Sequence, residues 1–112
     1  MLFRSFHEGM VSIGLKRGDE IVAGTLYENW NKASIVAHIA IDGRITPAFL
    51  YAIFHYPFVH LGANKIIAPV AESNAESIRL LTKMGFTREC EIKDAHPSGS
   101  LLLYTMQHDR CR

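Results

Sequence analysis

The chain has 112 residues, room for one hydrophobic core and not two, so residues 1–112 are read as a single domain. Hydrophobic residues make up 48% and charged residues 21%, which excludes the polar, highly charged composition of disordered chains. A formal net charge of +1 excludes a global field for nucleic acid or an anionic membrane, and any polyanion site must be local.

Two cysteines, Cys90 and Cys111, are too few for a disulfide framework or a four-cysteine zinc site and fit a reducing compartment. Met1 to Met10 carries charge where a signal peptide would carry an apolar run, and no stretch reaches the ~18–20 apolar residues that cross a bilayer. A cytoplasmic protein is expected.

Val11–Leu15 and Ile21–Tyr27 are short apolar runs around the polar turn Lys16–Glu20, the pattern of a hairpin. After a second turn at Asn29–Lys32, the β-branched alternation of Ser34–Ile41 predicts a third strand. Thr46-Pro47 then supplies a helix cap and a first-position proline. Apolar residues at Phe49, Leu50, Ile53, Phe54, Phe58 and Leu61 predict about four helical turns ending at Gly62, kinked at Pro57.

Lys65–Val70 reads as a short buried strand. Ser73 or Asn74 caps a second helix whose apolar positions are Ile78, Leu80, Leu81 and Met84, and Gly85 stops it. Phe86–Lys93 and Leu101–Met106 predict a last hairpin. The order β-β-β-α-β-α-β-β, with hairpins segregated at both ends, predicts an α+β fold: a mixed, mainly antiparallel sheet with two helices.

Asn74, a serine three residues later, the apolar helix and the Gly85-Phe86 exit together resemble the second-helix motif of the GNAT N-acetyltransferase superfamily. Ile53–Ile66 is similar to the helix-to-strand passage of its ribosomal-protein acetyltransferase branch, and the two stretches cover roughly half of the chain. The strand order matches the superfamily core without its usual N-terminal strand and helix pair. Short proteins with such an abbreviated N-terminus resemble acetyltransferase-like proteins encoded by bacteriophages.

The resemblance implies acetyl-coenzyme A as co-substrate and an amine acceptor that attacks the thioester directly. It places the pyrophosphate on Gly43, Arg44, Ile45 and Thr46 at the start of the first helix, where backbone N–H groups and the helix dipole favour anions. Arg44 stands where the family has a small residue: it adds a charge-assisted phosphate contact, blocks close approach, or is simply a solvated side chain in an ordinary strand-to-helix turn. Asn74 is implied as a pantetheine contact, a helix cap, or both. Backbone N–H groups near Ile39 to Ile41 are implied to polarise the thioester carbonyl.

The family's tyrosine acid is replaced by Leu81, and Ser77 matches the serine given that role in the ribosomal-protein branch; a small polar residue near a helix start accounts for it equally. For a general base the candidates are His38 and Glu89. A structural histidine and a solvent-facing glutamate are the plain alternatives. His55 and His60 lie five apart, off the spacing of a zinc pair, so no metal is expected.

The degenerate cradle, Leu81 and the short N-terminus also fit a GNAT-fold protein that has lost catalysis and serves as an interaction or inhibitor module. A homodimer is a further expectation, with an edge strand near residues 101–107 as the contact and the partner copy as the missing acceptor wall.

Overall fold

The computed structural model describes residues 2–7, 10–18, 20–41 and 46–108. Strands β1 (Leu2–His7), β2 (Met10–Arg17), β3 (Glu20–Glu28) and β4 (Ser34–Ile41) run as an antiparallel meander. Helix α1 (Pro47–His55) leads to β5 (Lys65–Ala71), helix α2 (Ala75–Met84) follows, and β6 (Thr87–His96) and β7 (Gly99–Gln107) form a hairpin. The sheet order is β1-β2-β3-β4-β5-β7-β6, with β4 and β5 parallel and the other neighbours antiparallel. The α+β class with two helices and a mixed, mainly antiparallel sheet is therefore as the sequence indicates.

Two expectations are corrected. An N-terminal strand is present: β1 pairs with β2 from Leu2↔Leu15 to His7↔Met10. The order Leu-Phe-Arg-Ser-Phe-His has no period-2 alternation, which is why the pattern does not reveal this strand. The residues 101–107, expected as an edge, lie inside the sheet, because β7 is hydrogen-bonded to β5 on one side and β6 on the other. A strand with both sides paired has no free ladder to offer a partner.

Side chains alternate across each strand, and one alternation is buried throughout: Ala23, Thr25 and Tyr27 on β3, Ile35 and Ala37 on β4, Ile66, Ala68 and Val70 on β5, Leu102, Tyr104 and Met106 on β7. The registers Ala37↔Tyr27, Ile35↔Ile66 and Ile66↔Met106 put these on a single face. Phe49 and Ile53 of α1 and Leu81 and Met84 of α2 complete that core. Each Val, Leu, Ile, Phe or Met side chain among them stabilises the fold by about 1.5–3 kcal/mol of transfer free energy, before entropy is subtracted. Among the described residues, both helices lie on this face of the sheet.

The predicted four-turn helix is split. α1 ends at His55, and Tyr56–His60 forms a π-helical turn in which the Leu61 N–H reaches the Tyr56 carbonyl at 3.0 Å. Pro57 is the cause, since it has no N–H to give the Ile53 carbonyl one turn back. The buried Tyr27 hydroxyl donates to that carbonyl from the sheet. Thus a proline on the helix is matched by a tyrosine on β3.

β6 is the outermost strand on its side and all ten of its residues are exposed. Five of them, Arg88, Glu89, Glu91, Lys93 and Asp94, are charged, and the pairing with β7 shifts register twice, both devices that discourage further strand addition.

Candidate functional site

The two parallel strands do not stay together. β4 and β5 pair only at Ser34↔Lys65, Ile35↔Ile66 and Val36↔Ile67 and then part. The Ser34 carbonyl bonds to Asn31 in the β3–β4 turn, so by alternation the backbone groups of Ile35, Ala37, Ile39 and Ile41 face β5. The next rung would take an N–H from residue 69 to the Ala37 carbonyl, and Pro69 has none. The ladder stops there, leaving the Ile39 and Ile41 N–H groups directed into the opening.

α2 stands along that opening. A cavity of about 850 Å³ is lined by Ile39, Ile41, Asn74, Ser77, Arg79 and Lys83, among others. The structure thus brings together four residues singled out from the sequence. Asn74 caps α2: its Oδ1 accepts from the Ser77 N–H at 3.1 Å, so what it chiefly offers a ligand is its Nδ2 donor. Ser77 is half-buried in the first turn. Arg79 and Lys83 were not singled out; they lie four apart on the polar side of α2 and give the cleft positive charge.

Thr46 is placed as read, with Oγ1 capping α1 through the Phe49 N–H at 3.2 Å. Gly43, Arg44 and Ile45 lie outside the described residues. Leu81 is 5% exposed and belongs to the core, so this position supplies no acid.

His38 sits on the other face of β4 from the helices. Its Nε2 lies 3.0 Å from Glu28 Oε1 on β3, a partner that the sequence reading missed because it is a diagonal cross-strand neighbour. A carboxylate on Nε2 holds the proton there and leaves Nδ1 as the basic atom of the neutral ring. His38, Ser12, Gly14, Gly24 and Ala40 line a shallow cavity of about 680 Å³ on that face, with Glu76 at its end. Ala40, Ile41 and Glu76 line both cavities, so the two meet at the upper end of β4.

Glu89 lies apart from both. It accepts from Lys65 Nζ at 2.7 Å and from Thr105 Oγ1 at 2.9 Å, at the closed end of the β4–β5 fork. Its carboxyl is held below the ordinary carboxylate range, first by the Lys65 hydrogen bond and then by Thr105. That anchors two strands and leaves the group a poor base.

No protein-family model matches the chain, and no curated protein matches it in sequence. Solved structures do. A spermidine N-acetyltransferase SpeG chimera from Vibrio cholerae and hSSAT superposes with a TM-score of 0.73 at 14% identity, over 90% of this chain and 68% of that one. The chain has the GNAT fold. A GNAT-family acetyltransferase from Bacillus anthracis gives a TM-score of 0.71 at 17% identity, over 90% and 67% of the two chains. Campylobacter jejuni N-acetyltransferase PseH, solved in complex with acetyl coenzyme A, gives 0.68 at 17% identity, over 90% and 70%.

Proposed function

We propose that the chain is an acetyl-coenzyme A-dependent N-acetyltransferase acting on an amine, with the β4–β5 fork as the cofactor site. The observation that carries this reading is the fork itself: a gap beside the Ile39 and Ile41 N–H groups, which lie beyond the last β4–β5 rung, walled by a helix bearing Asn74, Ser77, Arg79 and Lys83. The pantetheine arm, an amide chain, pairs with a strand edge of this kind, and the cations suit its phosphates. The neighbour that holds acetyl coenzyme A on the same fold supports this choice of co-substrate.

The reaction follows from the two cavities. The amine enters over the His38 face and attacks the carbonyl carbon, whose oxygen takes the Ile39 N–H. Its nitrogen–carbon bond forms as the carbon–sulfur bond breaks. The ammonium proton passes to Nδ1 of His38, with Glu28 stabilising the charge on the ring. Ser77 donates a hydrogen bond to the departing thiolate. Most of the acceleration is proximity, which for well-oriented groups reaches about 7–11 kcal/mol, so a modest acid–base apparatus suffices. The site operates in a single cytoplasmic domain.

Calorimetric titration with acetyl coenzyme A tests the reading. Micromolar binding that weakens tenfold or more in Arg79→Glu is expected. No binding at millimolar cofactor would remove the enzyme and favour the interaction module, for which the buried Leu81 in place of an acid is the specific observation.

A further inference from the structure

β5 leaves the sheet at a residue fixed by its own side chain. The β5–β7 register runs from Lys65↔Gln107 to Ala71↔Leu101, so Glu72 stands opposite Ser100. The Glu72 N–H donates to the Ser100 carbonyl at 3.0 Å, which makes this a hydrogen-bonded pair, and in such a pair the return bond runs from the Ser100 N–H to the Glu72 carbonyl. Here the Ser100 N–H goes instead to Oε1 of the Glu72 carboxylate, at 3.3 Å. The side chain takes the place of its own backbone carbonyl, so the buried donor of β7 is satisfied while the peptide after Glu72 is released from the ladder. The Asn74 N–H then closes a turn on the Ala71 carbonyl at 2.9 Å, and α2 begins at the next residue.

The tip of the β6–β7 hairpin is shaped to receive that carboxylate. A Cβ on Gly99 would lie 2.6 Å from Glu72 Oε1, closer than non-bonded atoms approach, and the glycine's φ of 139° is one that other residues rarely adopt. Ser100, 7% exposed, is held in turn by its hydroxyl, which donates to Glu91 Oε2 at 2.9 Å. The next residue of the turn is tied as well: Ser73 Oγ lies 2.9 Å from Ser98 Oγ, and Ser98 is fixed by its N–H and its hydroxyl, 3.1 and 2.9 Å from His96 Nδ1. The hairpin tip thus grips both residues that precede the Asn74 cap.

We propose that Glu72 is a positioning residue for the cofactor site: by ending the β5–β7 ladder at Ser100 it sets where α2 starts, and so holds Asn74 and Ser77 at the open end of the β4–β5 fork. Asn74 and Ser77 line the cavity there, whereas Glu72 acts through the turn. Its oxygen is needed as an acceptor and its charge is not, because the Ser100 N–H asks only for a lone pair. In a site that works by proximity, moving a positioned group by about 1 Å costs up to about a hundredfold. The consequence for the cofactor rests on the acetyl-transfer reading; the setting of the turn does not.

Amide hydrogen exchange of the ¹⁵N-labelled chain, with calorimetric titration of the same samples by acetyl coenzyme A, tests the proposal. Glu72→Ala removes the acceptor, Glu72→Gln keeps an oxygen in its place without the charge, and Gly99→Ala leaves Glu72 intact and displaces its carboxylate. Without cofactor, the Ser77 and Ile78 amides, which bond to the Asn74 side chain and carbonyl, are expected to exchange about tenfold faster in Glu72→Ala and Gly99→Ala and at the wild-type rate in Glu72→Gln, while Gly85 at the far end of α2 is unchanged throughout. Affinity for acetyl coenzyme A is expected to fall about tenfold in the first and last of these variants and to be kept in Glu72→Gln. Unchanged exchange at Ser77 in Glu72→Ala overturns the proposal. So does faster exchange along the whole of α2 and β5, which marks a general loss of stability, and so does faster Ser77 exchange with unchanged affinity. A Glu72→Gln variant that behaves as Glu72→Ala overturns it too. A wild-type chain with no affinity for acetyl coenzyme A contradicts the acetyl-transfer reading, and the Ser77 exchange rates then still decide whether Glu72 sets the start of α2.

Discussion

Tyr27→Phe removes one oxygen and exposes the link between Pro57 and the sheet. The hydroxyl donates to the Ile53 carbonyl, and both residues are 1% exposed, so water cannot replace it. Leaving a buried carbonyl without that donor costs about 1–3 kcal/mol. For a domain of this size, 2 kcal/mol lowers the melting midpoint by roughly 8 °C or somewhat more. Urea denaturation followed by circular dichroism measures the cost directly. The stronger test is the cycle with Pro57→Ala, because alanine restores an N–H at position 57 that can reach the Ile53 carbonyl. The cost of Tyr27→Phe is expected to fall by about 1 kcal/mol in that background. A cost within 0.5 kcal/mol of zero in the wild type, or one unchanged by Pro57→Ala, would refute the link.

Three further outcomes are expected. Thr25 is 2% exposed and its Oγ1 has no hydrogen-bond partner among the described residues, so Thr25→Val should stabilise the fold by about 1 kcal/mol in chemical denaturation, and a loss of stability would reveal a partner for the hydroxyl. Pro69→Ala returns an N–H to the rung at which β4 and β5 part; thermal stability should rise while affinity for coenzyme A falls about tenfold, and an unchanged affinity would show that the proline does not hold the fork open. Glu89 has a depressed folded-state pKa, so its contribution is present above the ordinary carboxylate range and is lost as pH falls through and below it; the acid limb of a stability profile should flatten in Lys65→Met, and identical limbs would contradict the pairing.

Much of the fold was legible because its signals are local. Asn74 and Gly85 bracket α2 as cap and left-handed stop, with φ of 102° at the glycine, and Thr46-Pro47 opens α1. The alternation of Ser34–Ile41 and the apolar run of Lys65–Val70 mark two strands, while their pairing is seen only in the structure. What escaped depends on which strands are neighbours. Nothing in Leu101–Met106 tells that β6 folds back outside it, so an interior strand reads as an edge. Leu2–His7 has no alternation and is defined by its pairing with β2.

The site divides in the same way. Ile39, Ile41 and Ser77 could be named because the family resemblance points to them, and Asn74 because a helix-cap signal falls on it as well. Glu28 could not, because its relation to His38 arises from a hairpin register ten residues long. Pro69 was visible as a residue and silent as a cause: only the strand order shows that its missing N–H faces β4. Arg79 and Lys83 carried a usable signal, a four-residue spacing on the polar side of α2, that a search for motif residues passes over.

The central claim is that the β4–β5 fork holds acetyl coenzyme A, and amide chemical-shift mapping of the ¹⁵N-labelled chain during titration with acetyl coenzyme A tests it most directly. Saturable shifts concentrated at Ile39, Ile41, Asn74 and Ser77 at micromolar cofactor are the expected result. Shifts centred instead on the apolar groove of Leu50, Phe54 and Met106, or none at millimolar cofactor, would contradict it.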